Sequence, residues 1–230
     1  MKTIGLLGGM SWESTLGYYR SINQGIKNAL GGLHSAEIVL YSVDFDPVEK
    51  MLSLGDWDGV AESLSLAAES VEAAGADFLL LCTNTMHMIA DQIQDSLGIP
   101  LLHIADATAE SLVDQEIERV GLLGTALTME QDFYRQRLQD MYGIETLIPD
   151  MEERRFVHEV IFQELCLGTV NTASKRQYLQ IIQRLAEKGA RGVILGCTEI
   201  GMLVKQQDTR VRLFDTTAIH AEKAVDYALT

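Results

Sequence analysis

One eleven-residue pattern occurs twice in this chain, and that duplication limits the fold more than any other feature. Gly75-Ala76-Asp77-Phe78-Leu79-Leu80-Leu81-Cys82-Thr83-Asn84-Thr85 aligns without a gap on Gly189-Ala190-Arg191-Gly192-Val193-Ile194-Leu195-Gly196-Cys197-Thr198-Glu199. The offset is 197 − 83 = 114, so Thr83 stands where the second copy has Cys197. A second match, Ile4-Gly5-Leu6-Leu7-Gly8-Gly9 on Val120-Gly121-Leu122-Leu123-Gly124-Thr125, has offset 120 − 4 = 116 and pairs Gly9 with Thr125. The chain therefore reads as two related halves, each bringing a strand end to a shared site.

Short apolar runs alternate with longer amphipathic stretches, the pattern of βα units on a mostly parallel sheet. Strands are predicted near 2–8, 36–43, 77–82 and 100–103, then near 119–124, 144–148 and 191–196, with a last one at 212–215. Helices are predicted near 12–30, 57–74, 85–97 and 105–115, then near 128–142, 151–167 and 172–188, and at 216–229. The fold class is α/β, with two pseudo-symmetric lobes, each a mostly parallel sheet flanked by helices, and an active site in the cleft between them. The first lobe is expected to take 1–115 plus 211–230, because the final strand and helix should pack back on it, and the second 116–210. Ser11 and Thr128 have capping-box spacing and mark helix starts. Each motif thus lies where a buried strand ends and a helix begins, the edge at which open α/β sheets bind ligands.

Composition removes several classes of function. Thirty-three acidic against 18 basic residues give a net charge of −15. This argues against nucleic acid or an anionic membrane as partner, since both need clustered Lys and Arg. No run of ~18 apolar residues predicts a transmembrane helix. The first residues run straight into a strand without a signal-peptide layout, so a cytoplasmic protein is expected. The three widely spaced cysteines, Cys82, Cys166 and Cys197, read as free thiols in a reducing compartment.

Gly5-x-x-Gly8-Gly9-Met10-Ser11 follows a strand and opens a helix, so its amides could cradle a small carboxylate. It meets neither nucleotide-binding fingerprint, and tight-turn glycines without a ligand remain an alternative. Cys197 ends the run Val193-Ile194-Leu195, and Thr198-Glu199 resemble the first turn of a helix. A thiol at such a place should have its pKa lowered from about 8.5. Asn84, Thr85 and Thr198 could hold the α-carboxylate and α-ammonium of a small substrate, or could serve only as caps. His87, one turn past Thr83, could polarise the site or fill a satisfied buried position. The other histidines show no metal spacing, and no Gly-x-Ser-x-Gly elbow supports a serine hydrolase. Two symmetry-related groups facing each other across a small cleft suit racemisation, in which the α-proton leaves one face and returns to the other.

Gly8-Gly9-Met10, Asn84-Thr85-Met86-His87 and Gly196-Cys197-Thr198-Glu199 together resemble the aspartate/glutamate racemase superfamily over essentially the whole chain. The resemblance implies two α/β lobes, two opposed thiol bases, no pyridoxal phosphate or other cofactor, no metal, an amino-acid substrate and a homodimer. It implies catalysis by Cys197 and Thr83, with Gly9, Met10, Asn84, Thr85, Thr125, Thr198, Glu199, Lys50 and His87 around the substrate. Three departures stand out. The usual first cysteine is Thr83, while the adjacent Cys82 should point away by strand alternation. The loop 45–51 offers only Lys50 where acid-specific relatives have Arg. Cys166 lies in a segment where they tend to carry Lys. Cys197 is therefore expected to be the competent base, taking the proton of the L-enantiomer, with Thr83 a weak partner and conversion faster from L to D. Aspartate and glutamate are the family default. Neutral polar amino acids, a hydantoin, maleate-type isomerisation through a covalent cysteine adduct, and a binding protein without catalysis are the alternatives.

Overall fold

The computed structural model describes all 230 residues, Met1–Thr230. It has two compact units, Met1–Ile104 with His220–Thr230 and Ala105–Ile219. The first unit holds a parallel sheet of β1 (Ile4–Gly8), β2 (Ile38–Ser42), β3 (Phe78–Leu81) and β4 (Leu101–Leu102), in the order β2-β1-β3-β4. The second holds β5 (Arg119–Gly124), β6 (Glu145–Leu147), β7 (Gly192–Gly196) and β8 (Arg212–Asp215), also parallel, in the matching order β6-β5-β7-β8. The duplication read from the sequence is thus a repeated sheet topology.

Alternation along the strands sorts the first core. Leu7, Leu79 and Leu81 face one cluster with Val60, Leu64 and Val71 of helix α3 (Trp57–Ala73). Ile4, Leu6, Phe78, Leu80 and Cys82 face the other, against Tyr18, Ile22 and Ile26 of α1 (Trp12–Leu30) and Ala221, Ala224 and Val225 of α11 (Thr216–Leu229). Both faces are covered by helices, as a parallel sheet requires. Cys82 points into this second cluster, as the period of two predicts. Ser11 caps α1 by accepting the Ser14 amide at 3.4 Å.

The structure differs from the sequence expectation at the end of each half. Strand 212–215, expected in the first lobe, pairs with β7 in the second sheet. The helix after β4, α5 (Ile104–Val113), clusters from Ala105 onward with the second unit, and α11 clusters from His220 onward with the first. Each sheet's fourth strand therefore sends its helix to the other unit. The attachments are equivalent. Tyr18 on α1 bonds His220 Nδ1 on α11 at 2.9 Å. Tyr134 on α7 (Asp132–Tyr142) donates to Thr108 of α5 at 3.3 Å. The tyrosines are 134 − 18 = 116 apart. The matched strand residues Leu102 and Phe214 are 214 − 102 = 112 apart, as are Thr108 and His220. A bidentate Arg137–Asp106 pair, 2.6 and 2.7 Å, adds a second tie to α5.

Other boundaries shift for local reasons. The segment 45–51, expected as a loop, forms helix α2 (Phe45–Ser53), capped by Asp44. Pro47 lies in its first turn, where a missing N–H removes no intrahelical bond. The predicted helix 85–97 is a 3-10 turn over Thr85–Ile89 followed by α4 (Ala90–Asp95). Helix 128–142 is split into α6 (Ala126–Glu130) and α7, and Thr125 rather than Thr128 is the first cap, accepting the Thr128 amide. Helix 151–167 ends as α8 (Met151–Gln163), followed by a 3-10 turn over Leu165–Leu167. No helix is long and apolar enough to cross a membrane.

His220 has a measurable consequence for stability. It is fully buried, with Nδ1 on the Tyr18 hydroxyl and Nε2 against the Leu102 carbonyl. Burial pushes its pKa from 6.5 down to about 4. The folded-state value is the lower one, so the unfolded chain takes up this proton first. Stability is complete above about pH 6.5 and is lost as pH falls towards 4. The full shift is worth on the order of 3 kcal/mol. Denaturant unfolding at pH 7 and pH 4.5 is expected to show a smaller acid loss in His220→Gln than in the wild type.

Candidate active site

In the first unit the candidate residues lie at the ends of β1 and β3. Gly9 has φ +96°, and a Cβ there would lie 2.2 Å from the Val43 carbonyl oxygen, so only glycine fits this turn. Its amide donates to Thr15 Oγ1 at 2.8 Å, so that donor serves the turn itself. Met10 is buried beside it. Ser14 Oγ donates to the Cys82 carbonyl at 3.2 Å and ties the start of α1 to the end of β3. Thr83 follows immediately, 7% exposed, with Asn84 and His87 also buried and Thr85 partly so. Sequence reasoning missed Ser14 and Thr15. Their signal was the dense run of hydroxyls after Gly9.

His87 is not a free substrate contact. Its Nδ1 lies 2.8 Å from the Thr83 carbonyl, and its Nε2 accepts the Ile104 amide at 3.2 Å. Burial, with His103 and His220 beside it, holds its pKa well below the ordinary imidazole value. Lys50 is also placed differently from the expectation. It lies exposed on α2, tied to Asp46 four residues earlier at 2.6 Å. That contact raises its pKa, but an exposed pair of this kind contributes little.

In the second unit the candidate residues lie at the ends of β5 and β7. Thr125 takes the place of Gly9 and lies buried, its hydroxyl 3.1 Å from Thr128 Oγ1. Cys197 is 9% exposed, close to the burial of Thr83. Its Sγ donates to Glu199 Oε2 at 2.9 Å, and Thr198 Oγ1 donates to the same oxygen at 2.7 Å. Glu199 is buried and turned onto the thiol. No group of three or more His, Cys, Asp or Glu side chains is arranged to hold a metal ion.

The expectation of a lowered thiol pKa is overturned. Burial first, then the Glu199 carboxylate, pushes the Cys197 thiol well above its ordinary value. The supposed helix start is a turn. Helix α10 begins only at Ile200 and ends at Leu203, too short for a useful dipole. Cys166, in the 3-10 turn Leu165–Leu167, adds to the same upward shift. Tyr178 of α9 (Thr172–Glu187), whose hydroxyl donates to the Val157 carbonyl, is raised by burial first and then by Cys197, Glu164 and Cys166. The resting thiol is thus a protonated acid beside a carboxylate. Glu199→Gln removes the charge that opposes ionisation, so alkylation of Cys197 at pH 8, followed by peptide mass mapping, is expected to quicken.

The model of the Asp/Glu/hydantoin racemase family matches residues 7–224. The chain belongs to this family. It is accordingly an isomerase. A crystal structure from Yersinia pestis with a provisional Asp/Glu racemase description is 54% identical, covers 100% of both chains and superposes with TM-score 0.94. An aspartate racemase homologue from Pyrococcus horikoshii OT3 is 34% identical over 100% of both chains, with TM-score 0.86. The broad specificity amino-acid racemase RacX of Bacillus subtilis (strain 168) is 24% identical over 96% of each chain. The α/β fold of two four-stranded parallel sheets matches these racemase structures.

Proposed function

We propose that this protein racemises a small amino acid, aspartate or glutamate by family default, by removing and returning the α-proton without a cofactor. The observation that carries the proposal is the buried Cys197–Glu199 pair at the end of β7, matched by Thr83 at the end of β3. Glu199 accepts a hydrogen bond from the thiol, so it can take the proton as Cys197 becomes a base towards the substrate. This moves Glu199 from the substrate shell, where the sequence placed it, to the activation of sulfur. Thr83 serves the opposite face of the planar intermediate, alone or through water. Met10, Asn84, Thr85, Thr125 and Thr198 are the remaining short polar or apolar groups available to position the substrate.

The same arrangement is asymmetric. A thiol beside a carboxylate exchanges protons far more readily than a threonine hydroxyl. In the proposed mechanism, Cys197 works on the L-enantiomer. The two enantiomers have equal free energy, so kcat/KM for inversion is the same in both directions. The expected preference for L therefore appears in proton exchange and in the separate values of kcat and KM.

The deciding experiment incubates the protein in D2O with L- and D-aspartate, glutamate, glutamine and alanine, following α-proton loss by NMR beside chiral analysis. Wash-out from one L-enantiomer that outruns its inversion is expected. No exchange with any of the eight compounds would overturn the proposal. A covalent adduct with maleate at Cys197 would favour the maleate-type alternative.

The homodimer and the cytoplasmic setting belong to the same proposal. For the dimer, the support is an apolar stripe on α1, where Trp12, Leu16 and Tyr19 lie exposed. At offset 116 the second half carries Thr128, Asp132 and Arg135 instead. Light scattering at micromolar concentration tests it.

A further inference from the structure

We infer that His87 is a positioning residue for Thr83, its ring clamped between the Thr83 carbonyl and the Ile104 amide so as to fix where the first-half hydroxyl sits. The inference rests on the racemase proposal and concerns its weaker proton-transfer arm.

The observation behind it is a difference between the two halves. After β7 the chain turns so that the Cys197 carbonyl accepts the Ile200 amide at 3.1 Å, a purely backbone closure. At offset 114 the residue matching His87 is Gly201, where a Cβ would come within 2.7 Å of Asp215 Oδ2. The second half therefore makes its strand-end turn with no imidazole. In the first half the Thr83 carbonyl is met by the His87 ring at 2.8 Å. The repeated fold does not require this histidine, whereas the Thr83 turn uses it.

The ring's hydrogen bonds also fix its tautomer. A backbone N–H can only donate, so Nε2 accepts from Ile104 and the single ring proton of the neutral form lies on Nδ1. Nδ1–H then donates to the Thr83 carbonyl. A second proton on the ring would break the Ile104 bond. The titratable groups facing the ring are His103, with centroids 4.5 Å apart, and His220, at 6.0 Å. Burial opposes that second proton most, and both histidines oppose it further. The clamp thus stays neutral through the pH range in which amino acids are handled. Ile104 is buried and opens α5 just after β4, so the clamp ties the Thr83 turn to the end of the neighbouring strand.

The test compares the full-length wild type with His87→Asn, His87→Gln and His87→Leu. Each is incubated in D2O with whichever of L-aspartate, L-glutamate, L-glutamine and L-alanine the wild type exchanges fastest. An asparagine amide reaches the Nδ1 position and keeps the donor to Thr83. A glutamine amide reaches the Nε2 position and keeps only the Ile104 side. Inversion is expected to fall roughly tenfold or more in the Gln and Leu variants relative to wash-out, with Asn restoring most of the ratio. Nitrogen-15 spectra of the wild type are expected to show a neutral Nδ1–H ring at position 87. Equal Asn and Gln variants, parallel loss of inversion and wash-out, or an Nε2–H tautomer would each overturn the inference while leaving the racemase proposal standing. A wild type that exchanges none of the four compounds removes that proposal and the inference with it.

Discussion

Replacing Cys197 by serine is expected to lower α-proton wash-out from the L-substrate by roughly 10²–10⁴-fold, the usual range for a general acid–base group. Serine keeps the shape and can still bond Glu199, so the fold should survive, and thermal unfolding close to wild type would check this. Only the acidity of the donor changes. The resting thiol is already raised well above its ordinary value by burial and by Glu199, so its advantage over serine lies in being ionisable within reach of a carboxylate acceptor. The acceptor is tested from the opposite side. Glu199→Gln is expected to slow wash-out while speeding alkylation of the same sulfur. A serine variant that exchanged at the wild-type rate would move the base elsewhere in the site.

The second large effect is a gain. Thr83→Cys is expected to raise wash-out from the D-substrate, and inversion in both directions, by roughly 10²-fold or more. Threonine and cysteine are similar in volume and Thr83 is buried, so the exchange should be nearly neutral in packing. The diagnostic signal is the ratio of wash-out to inversion for the L-enantiomer, which should fall towards unity as the second base becomes competent. If that ratio stays high while D-exchange remains slow, proton return from the first half is limited by placement rather than acidity. The His87 variants then become the more informative series.

Much of this was legible in the residues. The repeated Gly-Ala start and apolar run located β3 and β7 and paired Thr83 with Cys197, because strand ends in a duplicated fold keep their spacing. Alternation sent Cys82 into the core for the same reason. What escaped depended on partners distant in sequence or on local competition. The segment 45–51 reads as a loop, yet it is helical, with Pro47 in a first turn that tolerates it. The neighbouring residues suggest a helix dipole acting on Cys197, whereas burial and then a carboxylate two residues on decide its pKa. The Ile104 amide on His87 joins residues 17 apart, and no pattern around Thr83 announces it. The placement of β8 follows the repeated sheet order and not the order of elements along the chain.

The traded helices bear on how such a chain could have arisen and how it can be cut. A fragment ending near residue 115 would carry a sheet whose α1 face lacks Ala221, Ala224, Val225 and Ala228, together with a helix that has nothing of its own to cover. A lone ancestral half would face the same deficit and could bury its sheet only by lending its last helix to a second copy and borrowing one in return, a domain-swapped pair. Fusing two such copies end to end makes the loan internal and leaves each copy free to mutate alone. That freedom is the setting in which one half could keep a cysteine at its strand end and the other a threonine.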